Sequence, residues 1–387
     1  MASITLPLAI GQTIIWAAIF YLFPAFLPTW ELETGWSKTE LTGAFTLSLL
    51  VTAAASPFAG RLIDAGRGRE LMVGGTILSV VCLLGLSQVA HLWQFYCVWL
   101  VLGLCMAASL YEPCFANLIR HLGDNAKPSI TRITLIAGLA GTVAFPTAHA
   151  LNSVMAWQQA VICFAAGMAL ITLPLTTWSI TSLQRRFPVA RPIASSTKNK
   201  VSFGKSFWLL DSAFMIISIV HGMIVTHLLP LLAERGVSAS FAILVASMIG
   251  PMQVFGRLVM MATEKRTSTL TTALACFAGM AIGISALAIA GTESVVILTF
   301  VVLHGSAYGV TSIVRPMLTR ETLGGANFGQ ISGRMGGLFM FGAAIAPFGG
   351  SLIWQLCGYM AMLILSAMMM VVGLIILRYA AGLTTKE

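Results

Sequence analysis

Charge is what this sequence lacks most. Asp, Glu, Lys and Arg make up 9% of its 387 residues, against about 25% in an ordinary soluble domain. Too little polar matter is present to clothe a water-facing surface, which excludes a soluble globular chain. Catalytic signatures are missing too. There is no HExxH, no GxSxG and no cluster of carboxylates, so no enzyme constellation is visible. Neither Walker motif occurs, so ATP does not drive any cycle within this chain. The seven cysteines (Cys82, Cys97, Cys105, Cys114, Cys163, Cys276 and Cys357) fall inside apolar runs without a CxxC or other ligand spacing. They read as small buried fillers rather than a disulfide framework or a metal site. The first apolar run has no basic segment before it and continues to spanning length, so no cleavable signal is expected.

What is abundant is apolar sequence: 58% of residues are hydrophobic and the mean hydropathy is +0.90. A hydrocarbon core of about 30 Å needs about 20 apolar residues at helical rise. Such runs predict twelve spans, at 5–28, 39–60, 71–90, 94–117, 131–151, 157–178, 207–232, 240–262, 270–290, 295–316, 330–352 and 358–379. The fold class expected is an all-α membrane protein. The even count puts both termini on one side. If that side is the cytoplasm, all but Lys38 and Arg235 of the 22 basic residues fall inside, which follows the positive-inside rule. The net charge of +9 is therefore a topology signal, and nucleic acid is set aside as a partner. The polar stretch 179–206 (with TSLQRRFPVARPIASSTKNK at its heart) reads as a cytoplasmic linker between a bundle over 1–178 and another over 207–387.

The two halves share a motif. Pro57-Phe58-Ala59-Gly60-Arg61-Leu62-Ile63-Asp64 follows span 2, and Val254-Phe255-Gly256-Arg257-Leu258-Val259 follows span 8, about half a chain later. Residues Gly60 to Arg69 (GRLIDAGRGR) resemble the loop 2–3 motif of the major facilitator superfamily, with Gly60, Leu62, Asp64 and Arg69 matching. Ala65 and Arg67 depart from the pattern, standing where the family has a basic residue and a glycine. The resemblance implies two six-helix bundles rocking about a midplane site, with Gly60, Asp64 and Arg69 as conformational residues. Asp64 is suited to capping a helix end. Gly329, Gly333 and Gly337, four apart, suit close helix approach. The N-terminal stretch with its Gly35-Trp36-Ser37 turn is similar to the monocarboxylate and oxalate group, and the whole is similar in look to bacterial riboflavin carriers.

In such carriers spans 1, 4, 7 and 10 line the cavity, and polar residues inside spans seek a cavity or a partner. Those four spans carry polar and aromatic stripes: Gln12, Trp16, Phe20 and Phe23; Ser109, Tyr111 and Glu112; Asp211, Phe214, Ser218 and His221; His304, Tyr308, Thr311 and Arg315. Gln12, Trp16, Phe20, Tyr111, His221, His304, Tyr308 and Arg315 are the substrate candidates, and Glu112 and Asp211 the proton-coupling or gate candidates. Trp16 on the lipid face, the histidines as packing, Glu112 with Arg315 as a gate ion pair, and Asp211 as interfacial remain open alternatives. A planar aromatic solute could stack on Trp16 or Phe20, whereas a monocarboxylate could use Arg315. The reading is a monomeric secondary transporter in the bacterial inner membrane, both termini cytoplasmic, that binds a small solute and a coupling proton and needs no cofactor. Uptake of an aromatic vitamin such as riboflavin leads. Proton-coupled monocarboxylate transport and efflux of a drug, a metabolite or a metalloid such as arsenite compete with it, and a non-transporting sensor is the outlier.

Overall fold

A computed structural model of the protein describes residues 2–189, 203–264, 266–325 and 327–384. Those residues are nearly all helical, with no strand among them. Among the described residues eleven helices are long and apolar enough to cross a membrane: α1 (Ser3–Thr34), α2 (Lys38–Asp64), α3 (Gly68–Leu86), α4 (Leu92–Leu122), α5 (Lys127–Asn152), α6 (Trp157–Arg186), α7 (Lys205–Glu234), α8 (Ser240–Thr263), α9 (Thr269–Ile289), α10 (Ser294–Leu323) and a last one over Phe328–Leu383. The last is broken at Gly358, whose φ of +77° is not helical. We number its limbs α11 (328–357) and α12 (359–384).

Local chemistry explains several boundaries. Gly35 ends α1 with φ +71°, and Ser37 then opens α2 through a reciprocal capping box with Glu40. The expected linker is shorter in secondary structure than in composition. Its residues 179–186 extend α6 to Arg186, and α7 already begins at Lys205. Polar residues at a helix end protrude past the apolar run without breaking the helix. Residues 190–202 of that linker lie outside the described residues.

The chain divides into two compact units. One comprises Met1–Val201 with Gly325–Gly337; the other comprises Ser202–Gly324 with Leu338–Glu387. The first ten residues of α11 thus pack with the first unit. A Cβ on Gly60 would overlap the Gly329 carbonyl, and one on Gly333 the Ser56 carbonyl. A Cβ on Gly337 would meet the Ala53 carbonyl. The stripe of glycines four apart on α11 therefore lies directly on the backbone of α2. The aromatic core of this unit, Phe26, Trp30, Phe95 and Trp99, is fully buried.

In the second unit α10 packs against both α8 and α9, and Phe277 and Phe300 are fully buried. Gly256 occupies the same motif position as Gly60 and serves a similar purpose, since a Cβ there would overlap the Ser306 carbonyl on α10. The arginines that follow diverge. Arg61 is exposed, 4.6 Å over the Phe58 ring, whereas Arg257 is buried and its Nε donates to the Gly309 carbonyl at 2.9 Å.

Candidate functional site

The first unit's site begins with a proline. Pro113 has no N–H, so the carbonyl four residues earlier, Ser109, loses its helical donor. The helix breaks there: Leu110 is extended (φ −78°, ψ −156°), and α4 resumes at Tyr111. Gln12 on α1 fills the gap, its Nε2 donating to the Ser109 carbonyl at 2.9 Å. That bond uses one end of a side chain only 1% exposed. The other end, Gln12 Oε1, is buried with no hydrogen-bond partner, and the same holds for Trp16 Nε1 one turn on.

Aromatic rings surround these two atoms. Trp16 lies 5.0 Å from Phe20 and 4.8 Å from Tyr111, centroid to centroid. Phe20 also contacts Phe45, and Tyr111 stacks on Phe115 at 4.9 Å. A π-helical turn over Ala17–Tyr21 sets the ring directions on α1; such turns recur at functional sites. Gln12, Trp16, Phe20 and Tyr111 are thus brought together. Glu112 points elsewhere, into a narrow cleft with Gly60, Pro113, Gly329 and Gly333. There the Cα of Gly336 leaves no room for a side chain beside the Glu112 Cγ.

The loop motif also separates into parts. Asp64 accepts at 2.7 Å from the backbone N–H of Gly329 and at 2.7 Å from that of Gln330, using one carboxylate oxygen for each. It therefore caps the N-terminus of α11, where an anion is favoured by the orphan amides and the helix dipole. Arg120 Nη1 donates to the Asp64 carbonyl at 2.7 Å. Arg69 is exposed at the start of α3 and lines a different groove, against α6.

The second unit holds a histidine pair. His221 Nδ1 lies 3.1 Å from His304 Nε2, and the Tyr308 ring stacks on His221 at 3.3 Å. His304 is fully buried, and its Nδ1 has no partner. A buried lone pair without a partner costs less than a buried N–H without one. The favoured tautomer therefore has His304 Nε2–H donating to His221 Nδ1, leaving His221 Nε2–H as a further donor. Further along, the Arg315 guanidinium lies 4.3 Å over the Phe339 ring. Ser218 Oγ donates to the Phe339 carbonyl at 2.6 Å, and Asp211 is 2% exposed.

Phe45 and Phe339 were not singled out from sequence because they lie on spans 2 and 11, outside the four expected to line the cavity, whereas Phe115, four residues after Tyr111, continued a stripe already named. The Ser109 carbonyl could have been found, since a mid-span proline always frees the carbonyl four residues before it.

The sequence profile of the Major Facilitator Superfamily matches residues 8–347. The MFS transporter asaE of Aspergillus flavus is 24% identical over 356 residues, covering 87% of this chain and 76% of its own. Among solved structures, the MFS transporter FucP in its outward conformation matches with TM-score 0.77 at 12% identity, over 97% of this chain and 98% of its own. A bacterial homologue of the iron transporter ferroportin gives 0.77 at 13%, over 98% and 99%. The proton:xylose symporter XylE gives 0.74 at 11%, over 96% and 94%. With its spanning helices and a family match over most of its length, this chain is a multi-pass membrane transporter belonging to the major facilitator superfamily.

Proposed function

We propose that the protein is a secondary active transporter that takes up a planar aromatic solute by alternating access in the bacterial inner membrane, with both termini cytoplasmic. Riboflavin is the first substrate to test. The observation that supports this reading is the pair of buried, unpartnered atoms one helical turn apart, the Gln12 Oε1 acceptor and the Trp16 Nε1 donor, beneath an aromatic wall. Buried polar atoms are nearly always satisfied. A ring system with a donor and an acceptor on one edge would satisfy both while stacking on Trp16, Phe20 or Tyr111. Glu112 and Asp211 are the candidates for the coupling proton, and the Asp64 cap on α11 for a contact that breaks and reforms in each cycle. The working unit is a monomer without a cofactor.

Uptake of labelled riboflavin by an auxotroph expressing the chain is the test. Saturable accumulation abolished by a proton uncoupler is expected. Trp16→Phe keeps the ring face and loses the donor, so uptake should fall about tenfold, equivalent to one net hydrogen bond of about 1.4 kcal/mol. Arg315 and its aromatic partner Phe339 favour a second reading, a monocarboxylate held by the guanidinium. Absence of riboflavin uptake, together with lactate flux lost in Arg315→Ala and retained in Trp16→Phe, would replace the first reading with the second.

A further inference from the structure

α6 changes its winding inside the bilayer. Met168–Thr172 form a π-helical turn, and a groove of about 770 Å³ opens along the face that follows it. Leu170 and Leu173 floor one end, Trp178 stands midway, and Thr181 leads to Arg185 at the other end, where Arg69 arrives from the start of α3. These α6 positions recur at helical spacing, so one continuous stripe runs from apolar to interfacial to cationic. Leu170 is 76% exposed and Trp178 46%, as surfaces facing acyl chains and the headgroup boundary would be. Both arginines are exposed. None of the described residues lining the groove is acidic, and the nearest acid in sequence, Glu70, does not line it. In the same wall, Thr181 Oγ1 is buried without a hydrogen-bond partner.

We infer that this groove binds one anionic phospholipid, its phosphate held between Arg69 and Arg185 and an acyl chain lying along Leu173 and Leu170. Charge decides the occupant. Two guanidiniums without a carboxylate suit a headgroup of net negative charge and give the ammonium of a zwitterionic lipid no partner. The apolar end requires a chain as well as a phosphate, so inorganic phosphate alone satisfies half of the site. Each arginine near a charged interface is worth about fivefold in affinity, so the pair should give roughly 25-fold.

The test is native mass spectrometry of the full chain, purified in mild detergent and titrated in parallel with phosphatidylglycerol and phosphatidylethanolamine. One phosphatidylglycerol per chain should be retained under activation that strips phosphatidylethanolamine. The double variant Arg69→Gln with Arg185→Gln should lose about 25-fold in phosphatidylglycerol affinity, and Arg185→Lys much less. Leu170→Trp, which leaves both charges and fills the apolar end, should lower retention too, and this separates a groove from a diffuse charged surface. Inorganic phosphate should not displace the lipid. Equal retention of both lipids, unchanged binding in the double glutamine variant, or displacement by phosphate would each overturn the assignment.

Discussion

At Gln12 one side chain has two tasks, and they can be separated by mutation. Its amide nitrogen replaces the donor that Pro113 removed from the Ser109 carbonyl, and its amide oxygen is left for another partner. Gln12→Leu should therefore strand a buried carbonyl, at a cost of about 1–3 kcal/mol. Pro113→Ala in the same chain should recover much of that stability, because an alanine there removes the ring clash, lets Leu110 return to helical angles and so brings an N–H to the Ser109 carbonyl. The readout is thermal unfolding in detergent across the double-mutant cycle, where the two substitutions should be far from additive. Additive losses would mean that Pro113 does not create the need for Gln12. Transport should not recover in the double variant, since the Oε1 acceptor is still gone. From sequence, Gln12 was visible as a polar residue in an apolar span. Its partner was not, because the partner is a backbone atom on another helix.

Between elements, the same limit explains what was legible. The spacing of Gly329, Gly333 and Gly337 announced a close helix approach, but spacing on one helix cannot say which backbone approaches. The answer is α2 at Ala53, Ser56 and Gly60. Asp64 suited a cap by chemistry, while the amides it caps lie 265 and 266 residues away. The motif shared by the two halves marked equivalent places in them, and at both the glycine admits a neighbouring backbone, Gly329 beside Gly60 and Ser306 beside Gly256. The following arginines did not stay equivalent, since Arg257 turned inward onto the Gly309 carbonyl. Two losses follow for the α2–α11 contact. Asp64→Ala removes a charged double cap and should lower stability by about 1–2 kcal/mol, with Asp64→Asn in between because it keeps one acceptor oxygen. Gly60→Ala should cost about 1–3 kcal/mol by overpacking, since the Gly329 carbonyl cannot yield without moving α11. Thermal unfolding of the purified variants checks both, and an unchanged Asp64→Ala would remove the cap from any account of this contact.

On the scale of the whole chain, the hydrophobic runs made the number of spans readable, and one residue fixes its parity. The helix over Phe328–Leu383 has 56 residues; unbroken, it would extend about 84 Å, far beyond a hydrocarbon core of about 30 Å. The break at Gly358 divides it into two limbs, each long enough to span. The φ of +77° there is one that glycine adopts freely and other L-residues adopt at a cost of about 1 kcal/mol or more. With the break, the spans among the described residues number twelve, which predicts termini on one side; without it they number eleven, which predicts termini on opposite sides. By the positive-inside rule the basic residues predict the cytoplasmic side for both termini, since only Lys38 and Arg235 fall in the opposite loops. Reporter fusions read both choices at once. A fluorescent protein that folds only in the cytoplasm should light up at either terminus. Alkaline phosphatase, active only outside, should work when inserted at Gly358 or in the loop between Glu234 and Ser240, and stay silent at the C-terminus. A C-terminal phosphatase signal would mean that the chain does not turn at Gly358, and the twelve-span reading would fall with it.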